Sequence, residues 1–218
     1  MKIDLHVHTK YSTDALIEPK ALAKKSRECR VIPAITEHNN MDSHRELRSL
    51  KTDFIPGEEI RTDRGDLIGL YLSEPIAKNT PFMEAIDKIH SQSGLAYLPH
   101  MYDKSRKGVV PSKREARKLD IIEAFNARCP LESFNARAAA FAEEHKLPKA
   151  CGSDSHFLME FGHTYAELPD FDPGNPKALI KALKTGNPKL RTRKAALYLR
   201  GTTTFVALGR KLIHMLKF

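Results

Sequence analysis

Seven short runs of β-branched and aliphatic residues recur along this 218-residue chain, and segments with helical periodicity separate several of them. The runs lie at residues 2–7, 31–35, 53–56, 67–72, 95–98, 120–124 and around 148–151. Alternating strands and helices favour a parallel sheet, because each crossover helix brings the chain back to start the next strand in the same direction. About seven such units predict an α/β fold with a closed or nearly closed seven-stranded β/α barrel.

The first run, in "MKIDLHVHTKYSTD", alternates aliphatic and polar side chains. Residues two positions apart on a strand point to the same side, so Asp4, His6 and His8 share one face. Such a face is costly to bury unless something binds it, because its polar groups would lose their hydration. The pattern is therefore typical either of a metal site or of an edge strand with a solvent-facing polar stripe.

Further polar groups follow the ends of other predicted strands. They are Asp14, His38, Glu58, Glu59, His100, Asp154 and His156. Because the carboxyl ends of barrel strands meet at one end of the fold, we expect these side chains to converge there. Imidazole and carboxylate ligands without thiolates suit Zn, Mn or Fe, and their number suits two or three ions. His44, by contrast, is expected at the surface.

Simple features of the chain argue against several classes of protein. Cys29, Cys129 and Cys151 lack zinc-ribbon spacing and cannot all pair, which indicates a reducing, cytoplasmic location. We recognise no signal peptide, and no apolar run approaches the roughly 18 residues of a membrane-spanning helix. The sequence shows no Walker or dinucleotide glycine pattern, and no Ser, Thr or Cys nucleophile beside a base at a strand end.

Taken in order, these motifs resemble the PHP (polymerase and histidinol phosphatase) superfamily of metal-dependent phosphoesterases. The resemblance rests on "DLHVHTKYSTD", "ITEHNN", "IPGEEI", "LPH" and "GSDSH", which cover roughly residues 1–156. The stretches "FGHTYAEL" and "ALIKALKTGNP" resemble the usual end of such domains. The resemblance implies a distorted TIM-like barrel with a metal site at the C-terminal ends of its strands, in a domain over residues 1–200.

The resemblance also implies a ligand set. His6, His8, Glu59 and Asp154 would hold one ion, Asp14, His38 and His156 a second, and Glu59 with His100 would contribute to a third. Glu59 fits the Gly-x-Glu spacing of the family and would bridge the ions, while Glu58 points the other way if the segment is extended.

The chain departs from the family pattern at three positions. Glu37 stands where Asp usually precedes the second-motif histidine, which is expected to change only a contact behind the ligands. Asn126 stands where some relatives have a histidine, and a poor ligand there would leave the third ion weakly held or absent. Ala15 replaces a common glycine after Asp14.

These features predict hydrolysis of a phosphate ester by a metal-bound hydroxide, with a phosphomonoester, a nucleotide or a nucleoside bisphosphate as substrate. The loop "HMYDKSRKGVV" follows His100, and we expect Lys104, Arg106 and Lys107 in it to bind substrate phosphate. Two alternatives stay open. One is a nuclease acting on RNA or DNA ends, and the other is a non-catalytic metal-binding module of a larger assembly.

The net charge of +9 is compatible with a phosphorylated small molecule, a nucleic acid or an anionic membrane as partner. Residues 201–218 form a basic tail with helical spacing of its apolar residues. The apolar set is Phe205, Leu208, Leu212, Met215 and Leu216, and the basic set is Arg210, Lys211, His214 and Lys217. Such a helix either lies on a membrane surface or partner, or docks on its own barrel.

Overall fold

The computed structural model describes residues 1–215, and its strands form one nine-stranded sheet. The strands are β1 (Lys2–Val7), β2 (Val31–His38), β3 (Ile55–Arg61), β4 (Asp66–Leu70), β5 (Leu95–Leu98), β6 (Ile121–Asn126), β7 (Lys149–Gly152), β8 (Tyr165–Glu167) and β9 (Lys189–Arg191). The α-helices are α1 (Pro19–Cys29), α2 (Ser43–Ser49), α3 (Phe82–Ser91), α4 (Lys113–Ala116), α5 (Glu132–Glu144), α6 (Pro176–Thr185) and α7 (Leu197–Met215). None of these helices is both long enough and apolar enough to cross a membrane.

The sheet is nearly closed into a barrel. Its strand order is β7-β6-β5-β4-β3-β2-β1-β8-β9. A parallel bridge between Val7 and Ser155 joins the end of β1 to the segment that follows β7, which brings the first and seventh strands together. The predicted α/β barrel is therefore confirmed in outline.

The expected count of seven strands is wrong, because β8 and β9 extend the sheet beyond β1. Lys2 and Ile3 pair with Glu167 and Ala166 of β8, which runs antiparallel to β1. Each added strand has three residues, "YAE" and "KLR", and so lacks the longer aliphatic run that marked the other seven.

The expectation of a parallel sheet also fails at β4, which is antiparallel to both of its neighbours, β3 and β5. The connection between β3 and β4 is residues 62–65, and Thr62 donates its backbone N–H to the carbonyl of Gly65. A connection this short can join only antiparallel strands, because a parallel crossover needs a dozen or more residues.

Both faces of β1 are buried, which removes the edge-strand interpretation of its polar residues. Asp4, His6 and His8 have no exposed surface, and Ile3 is equally inaccessible. The strand lies between β2 and β8 in the sheet. Burial of three polar side chains in the middle of a sheet requires partners for them, which the other strand ends supply.

Candidate metal centre

The predicted ligands come together at the carboxyl ends of β1, β2, β3, β5 and β7. His6 and His8 come from β1 and its end, Asp14 from the following loop, His38 from the last position of β2, Glu59 from β3, His100 from the turn after β5, and Asp154 and His156 from the turn after β7. Parallel strands place their carboxyl ends at the same end of a barrel, which explains why residues so distant in sequence meet.

His6 and His8 face two carboxylates. His8 Nε2 lies 3.3 Å from Glu59 Oε2 and 3.5 Å from Asp154 Oδ1, and His6 Nε2 lies 3.6 Å from each of the same oxygens. The two imidazole Nε2 atoms are themselves 3.1 Å apart. These four residues form the first ligand cluster.

A second cluster surrounds Asp14. Its Oδ1 lies 3.4 Å from His38 Nε2, and its Oδ2 lies 3.3 Å from His156 Nε2. His38 Nδ1 is also 2.9 Å from Glu59 Oε2, the oxygen that faces His8. Glu59 therefore joins the two clusters, as expected of a bridging carboxylate. Glu58 points elsewhere and accepts a hydrogen bond from the backbone of Ile76.

A third group lies on the other side of Glu59. Glu59 Oε1 is 3.0 Å from His100 Nε2, and Asp66 approaches the same two residues closely enough to share an ion with them. Sequence reasoning missed Asp66, which begins β4 and pairs with Arg61 across the hairpin. Its only sequence signal was an acidic residue at the start of a strand.

Three buried carboxylate oxygens of the centre have no hydrogen-bond partner among the described residues: Asp14 Oδ1, Glu59 Oε2 and Asp154 Oδ1. Each instead lies 2.9 to 3.6 Å from one or more imidazole nitrogens. Buried anionic oxygens are normally paired, and a metal ion is the partner that suits a mixed imidazole and carboxylate environment. The residues present therefore fit the divalent ions that the sequence implies.

Burial and neighbouring charges shift the pKa values of the ligands in different directions. Burial, together with repulsion from His38 and His156, lowers the pKa of His8 to about 3 and keeps its imidazole neutral. Burial alone would raise the pKa of Asp154, but Arg106 and His6 hold it well below its usual range. The neighbouring carboxylates raise the pKa of His6 and of His38 well above the usual range of histidine. Metal ligation requires a neutral imidazole and an ionised carboxylate, so an ion that binds here would displace the protons of these two rings.

Glu123 of β6 supports the centre from behind, and sequence reasoning did not identify it. Its Oε1 lies 2.9 Å from His6 Nδ1 and accepts a hydrogen bond from the Tyr97 hydroxyl, and its Oε2 accepts one from the backbone of His100 at 2.7 Å. A carboxylate behind a ligating histidine fixes the orientation of the ring. The run "DIIEA" gave no signal beyond an acidic residue within an aliphatic strand.

Glu37, the departure in the second motif, also lies behind the ligands. Its carboxylate accepts hydrogen bonds from the backbone of Thr9 and from the hydroxyl of Ser12 at 2.6 Å. Ser12 Oγ in turn lies 3.1 Å from His8 Nδ1. The longer glutamate therefore acts on His8 through Ser12 rather than by facing an ion.

The three predicted substrate-binding residues separate in the structure. Arg106 reaches into the centre, where Nη2 donates to Asp154 Oδ2 and Nη1 donates to Asn126 Oδ1 at 3.0 Å. Lys104 and Lys107 lie on the exposed side of the same turn, away from the cavity lining. Of the three predicted loop cations, only Arg106 lines the cavity above the ligands.

A cavity of about 400 Å³ lies above the ligands. Its lining consists of Asp14, His38, Glu59, Arg61, Asp66, His100, Ser105, Arg106, Arg128, His156, Thr203 and Thr204. The two threonines belong to α7, which lies across the mouth of the barrel. Arg210 secures this helix by donating hydrogen bonds to the carbonyls of Lys10 and Ser12, at 2.9 and 2.7 Å.

The tail therefore docks on its own barrel, and its predicted contact with a membrane stays a prediction. Phe205, Leu208 and Leu212 remain more than half exposed on the outer side of α7. The predicted boundary at residue 200 falls within this helix. The other predicted tail positions lie outside the described side chains: Lys211, His214, Met215, Leu216 and Lys217.

The expectation that His44 lies at the surface is wrong. Only 2% of it is exposed, and it packs in α2 against Phe54 with Nε2 directed at the carbonyl of Ile35. The three-residue spacing to Leu47, which is also buried, places both on the inner side of the helix.

Two family models and a relative match most of this chain. Residues 4–124 match the family model of the PHP domain, and residues 132–188 match the model described as PHP-associated. An uncharacterised protein of Methanocaldococcus jannaschii is 35% identical over 210 residues, which cover 90% of this chain and 85% of that protein.

Solved structures show the same fold at low sequence identity. A two-domain protein of Bacteroides vulgatus, described as containing a predicted PHP-like metal-dependent phosphoesterase, matches with a TM-score of 0.70 and 16% identity over 94% of this chain and 69% of that one. A lesion-specific endonuclease of Pyrococcus furiosus matches with a TM-score of 0.56 and 14% identity over 87% of this chain and 57% of that one. The chain belongs to the PHP domain family of proteins.

Proposed function

We propose that this protein is a metal-dependent phosphoesterase that hydrolyses a small phosphate ester: a phosphomonoester, a nucleotide or a nucleoside bisphosphate. The observation that supports it most is the set of three buried carboxylate oxygens without hydrogen bonds, surrounded by imidazoles at the floor of a cavity. Such a floor suits bound cations, and a cavity above it leaves room for a substrate.

In this proposal His6, His8, Glu59 and Asp154 hold one ion, and Asp14, His38 and His156 hold a second beside Glu59. Divalent Zn, Mn or Fe bound there would supply Lewis acidity, which activates a water molecule and screens the charge of a phosphoryl group. Glu59 Oε2 lies beside histidines of both proposed ion sites, His8 and His38. Glu123 and Ser12 contact the Nδ1 atoms of His6 and His8 and so fix the orientation of these two rings.

The cationic side chains of the cavity bind the substrate in this account. Arg106 donates two of its five N–H groups to Asp154 and Asn126. Its remaining N–H groups can donate to a phosphoryl oxygen. Arg61 and Arg128 line the same cavity. Arginine binds phosphate through two parallel N–H donors. These arginines therefore favour a substrate that presents several phosphate oxygens as acceptors.

The size of the cavity favours a small substrate over a polymer. A volume of about 400 Å³ falls in the range of small-molecule sites, and α7 lies across the mouth of the barrel. The alternative of a nuclease draws support from the net charge of +9 and from the fold shared with an endonuclease. Binding of single-stranded RNA that weakens steeply with salt would favour that alternative.

The test is a phosphate-release screen with Mn, Zn and Fe added separately. Its substrates are a mononucleotide, a nucleoside bisphosphate, histidinol phosphate and a short single-stranded RNA. Asp154→Asn should abolish both metal content and phosphate release, whereas Asp87→Asn, an exposed carboxylate paired with Lys118, should leave both unchanged.

Turnover by protein stripped of metal would overturn the mechanism. Stoichiometric metal without turnover of any ester would favour the non-catalytic module instead.

A further inference from the structure

The carboxylates of the metal centre have different hydrogen-bond partners on the two sides of the centre. Within the described part of the chain, the carboxylate oxygens of the centre that lack a hydrogen bond face the histidines of the first two clusters. Asp14 Oδ1 lies beside His38, Glu59 Oε2 lies between His8 and His38, and Asp154 Oδ1 lies beside His8. Unpaired carboxylate oxygens and imidazoles therefore face each other on this side of the centre, where they can share a bound ion.

On the opposite side, Asp154 and the neighbouring Asp66 already have partners. Asp154 Oδ2 accepts hydrogen bonds from Arg106 Nη2 and from Asn126 Nδ2, the latter at 2.8 Å. Asp66 is paired in a two-point contact with Arg61, whose Nη2 donates to Oδ2 at 3.1 Å. Asp154 and Asp66 both lie within ion-sharing distance of His100. Two guanidinium groups therefore already neutralise the carboxylates that neighbour the position of a third ion.

The amide of Asn126 has no bonding capacity left for an ion. Its Oδ1 accepts from Arg106 Nη1 at 3.0 Å and from the backbone of Arg128 at 2.9 Å, so both lone pairs are used. Its Nδ2 donates to Glu123 and Asp154. The residue instead links Arg106 to Asp154 and holds the guanidinium in place.

A guanidinium is permanently charged, so it repels a divalent ion placed next to it whatever the pH. Only 23% of the Arg106 side chain is exposed, and its field is therefore weakly screened by water. We infer that the centre binds two divalent ions, and that Arg106, held by Asn126, serves as a fixed positive charge in place of a third. This inference rests on the proposed metal centre.

The experiment counts bound ions rather than turnover. Full-length protein is dialysed to equilibrium against Mn²⁺, bound metal is measured by elemental analysis, and free Mn²⁺ is measured by its EPR signal. The wild type is compared with Arg106→Lys, which keeps the charge, with Arg106→Met, and with Arg106→Met combined with Asn126→His. Lys104→Met is the matched control, since it removes a charge from the exposed side of the same turn.

Two ions in the wild type, in Arg106→Lys and in Lys104→Met, with a third ion in the double variant, support the inference. Three tightly bound ions in the wild type would overturn it. So would a count of two in a folded double variant, or three in Arg106→Lys. If the Arg106→Met variants fail to fold, the numbers of ions bound by the wild type and by Arg106→Lys still test the inference.

The two proposals fail separately. Two ions without phosphate release from any ester would contradict the proposed function alone, whereas three ions with phosphate release would contradict this inference alone.

Discussion

Glu123 offers a sharp test because it holds two predicted ligands at once from behind. One of its oxygens faces His6 Nδ1 and the Tyr97 hydroxyl, and the other accepts from the backbone of His100 and the amide of Asn126. Glu123→Gln keeps the size of the side chain but leaves only one accepting oxygen. In either orientation of the new amide, His6 or His100 loses its partner.

The magnitude follows from these four contacts. Loss of a partner behind a metal ligand typically costs 10- to 100-fold in metal affinity, which corresponds to roughly 1.4–2.7 kcal/mol. Two of the four hydrogen-bond donors also lose their buried acceptor, and each loss lowers the free energy of unfolding by roughly 1–3 kcal/mol. We therefore expect weaker metal binding together with a free energy of unfolding lowered by about 2–6 kcal/mol in the metal-free protein.

Metal affinity is measured by competition with a fluorescent chelator, and stability by urea unfolding of the metal-free protein. Tyr97→Phe is the matched control, because it removes one of the four donors and leaves the carboxylate intact. Its metal affinity should stay close to that of the wild type. An unchanged affinity in a folded Glu123→Gln variant would refute the idea that this carboxylate orients the ligands.

Three further predictions concern stability. Burial lowers the pKa of His44 to about 4, so the stability that its neutral form provides is fully present above pH 6.5 and is lost as the pH falls towards 4. Urea unfolding should show a decrease of roughly 3 kcal/mol in the free energy of unfolding over this pH range. The decrease should be absent in the His44→Gln variant. An equally pH-dependent variant would contradict the assignment. Arg210→Ala should lower the melting temperature, because it removes two hydrogen bonds that hold α7 on the barrel. Lys20→Ala, at an exposed and unrelated position, should leave the melting temperature unchanged. The same melting temperature in both variants would argue against docking of α7 on the barrel. Mn²⁺ or Zn²⁺ at a concentration about 100-fold above its dissociation constant should stabilise the wild type by roughly 2.7 kcal/mol and so raise its melting temperature. An unchanged melting temperature with both metals would contradict binding to the folded state.

Sequence patterns located the seven longer strands because their aliphatic runs are distinct, and the residues at their ends converge as a barrel requires. The direction of β4 could not be read from its composition. It depends on the four-residue connection after Arg61, which permits only an antiparallel partner. The strands β8 and β9 are too short to form a recognisable pattern, and their pairing with β1 places them in the sheet.

The ligands were visible in sequence because histidines and acids at strand ends are unusual, whereas the groups behind them were not. Glu123 and Asp66 are single acids within or beside aliphatic strands, and only the folded barrel shows which side chains they reach. Arg106 was expected to bind substrate, but its contact with Asp154 depends on the path of the loop after β5. The position of α7 over the cavity likewise depends on long-range contacts such as that of Arg210.

Anomalous X-ray scattering from crystals grown with Mn²⁺ or Zn²⁺ tests the central claim most directly, because it locates each ion among its ligands. We expect one strong peak among His6, His8, Glu59 and Asp154, and a second between Asp14, His38 and His156, with Glu59 contacting both. Peaks confined to other parts of the molecule, with these side chains unliganded at saturating metal, would contradict the account.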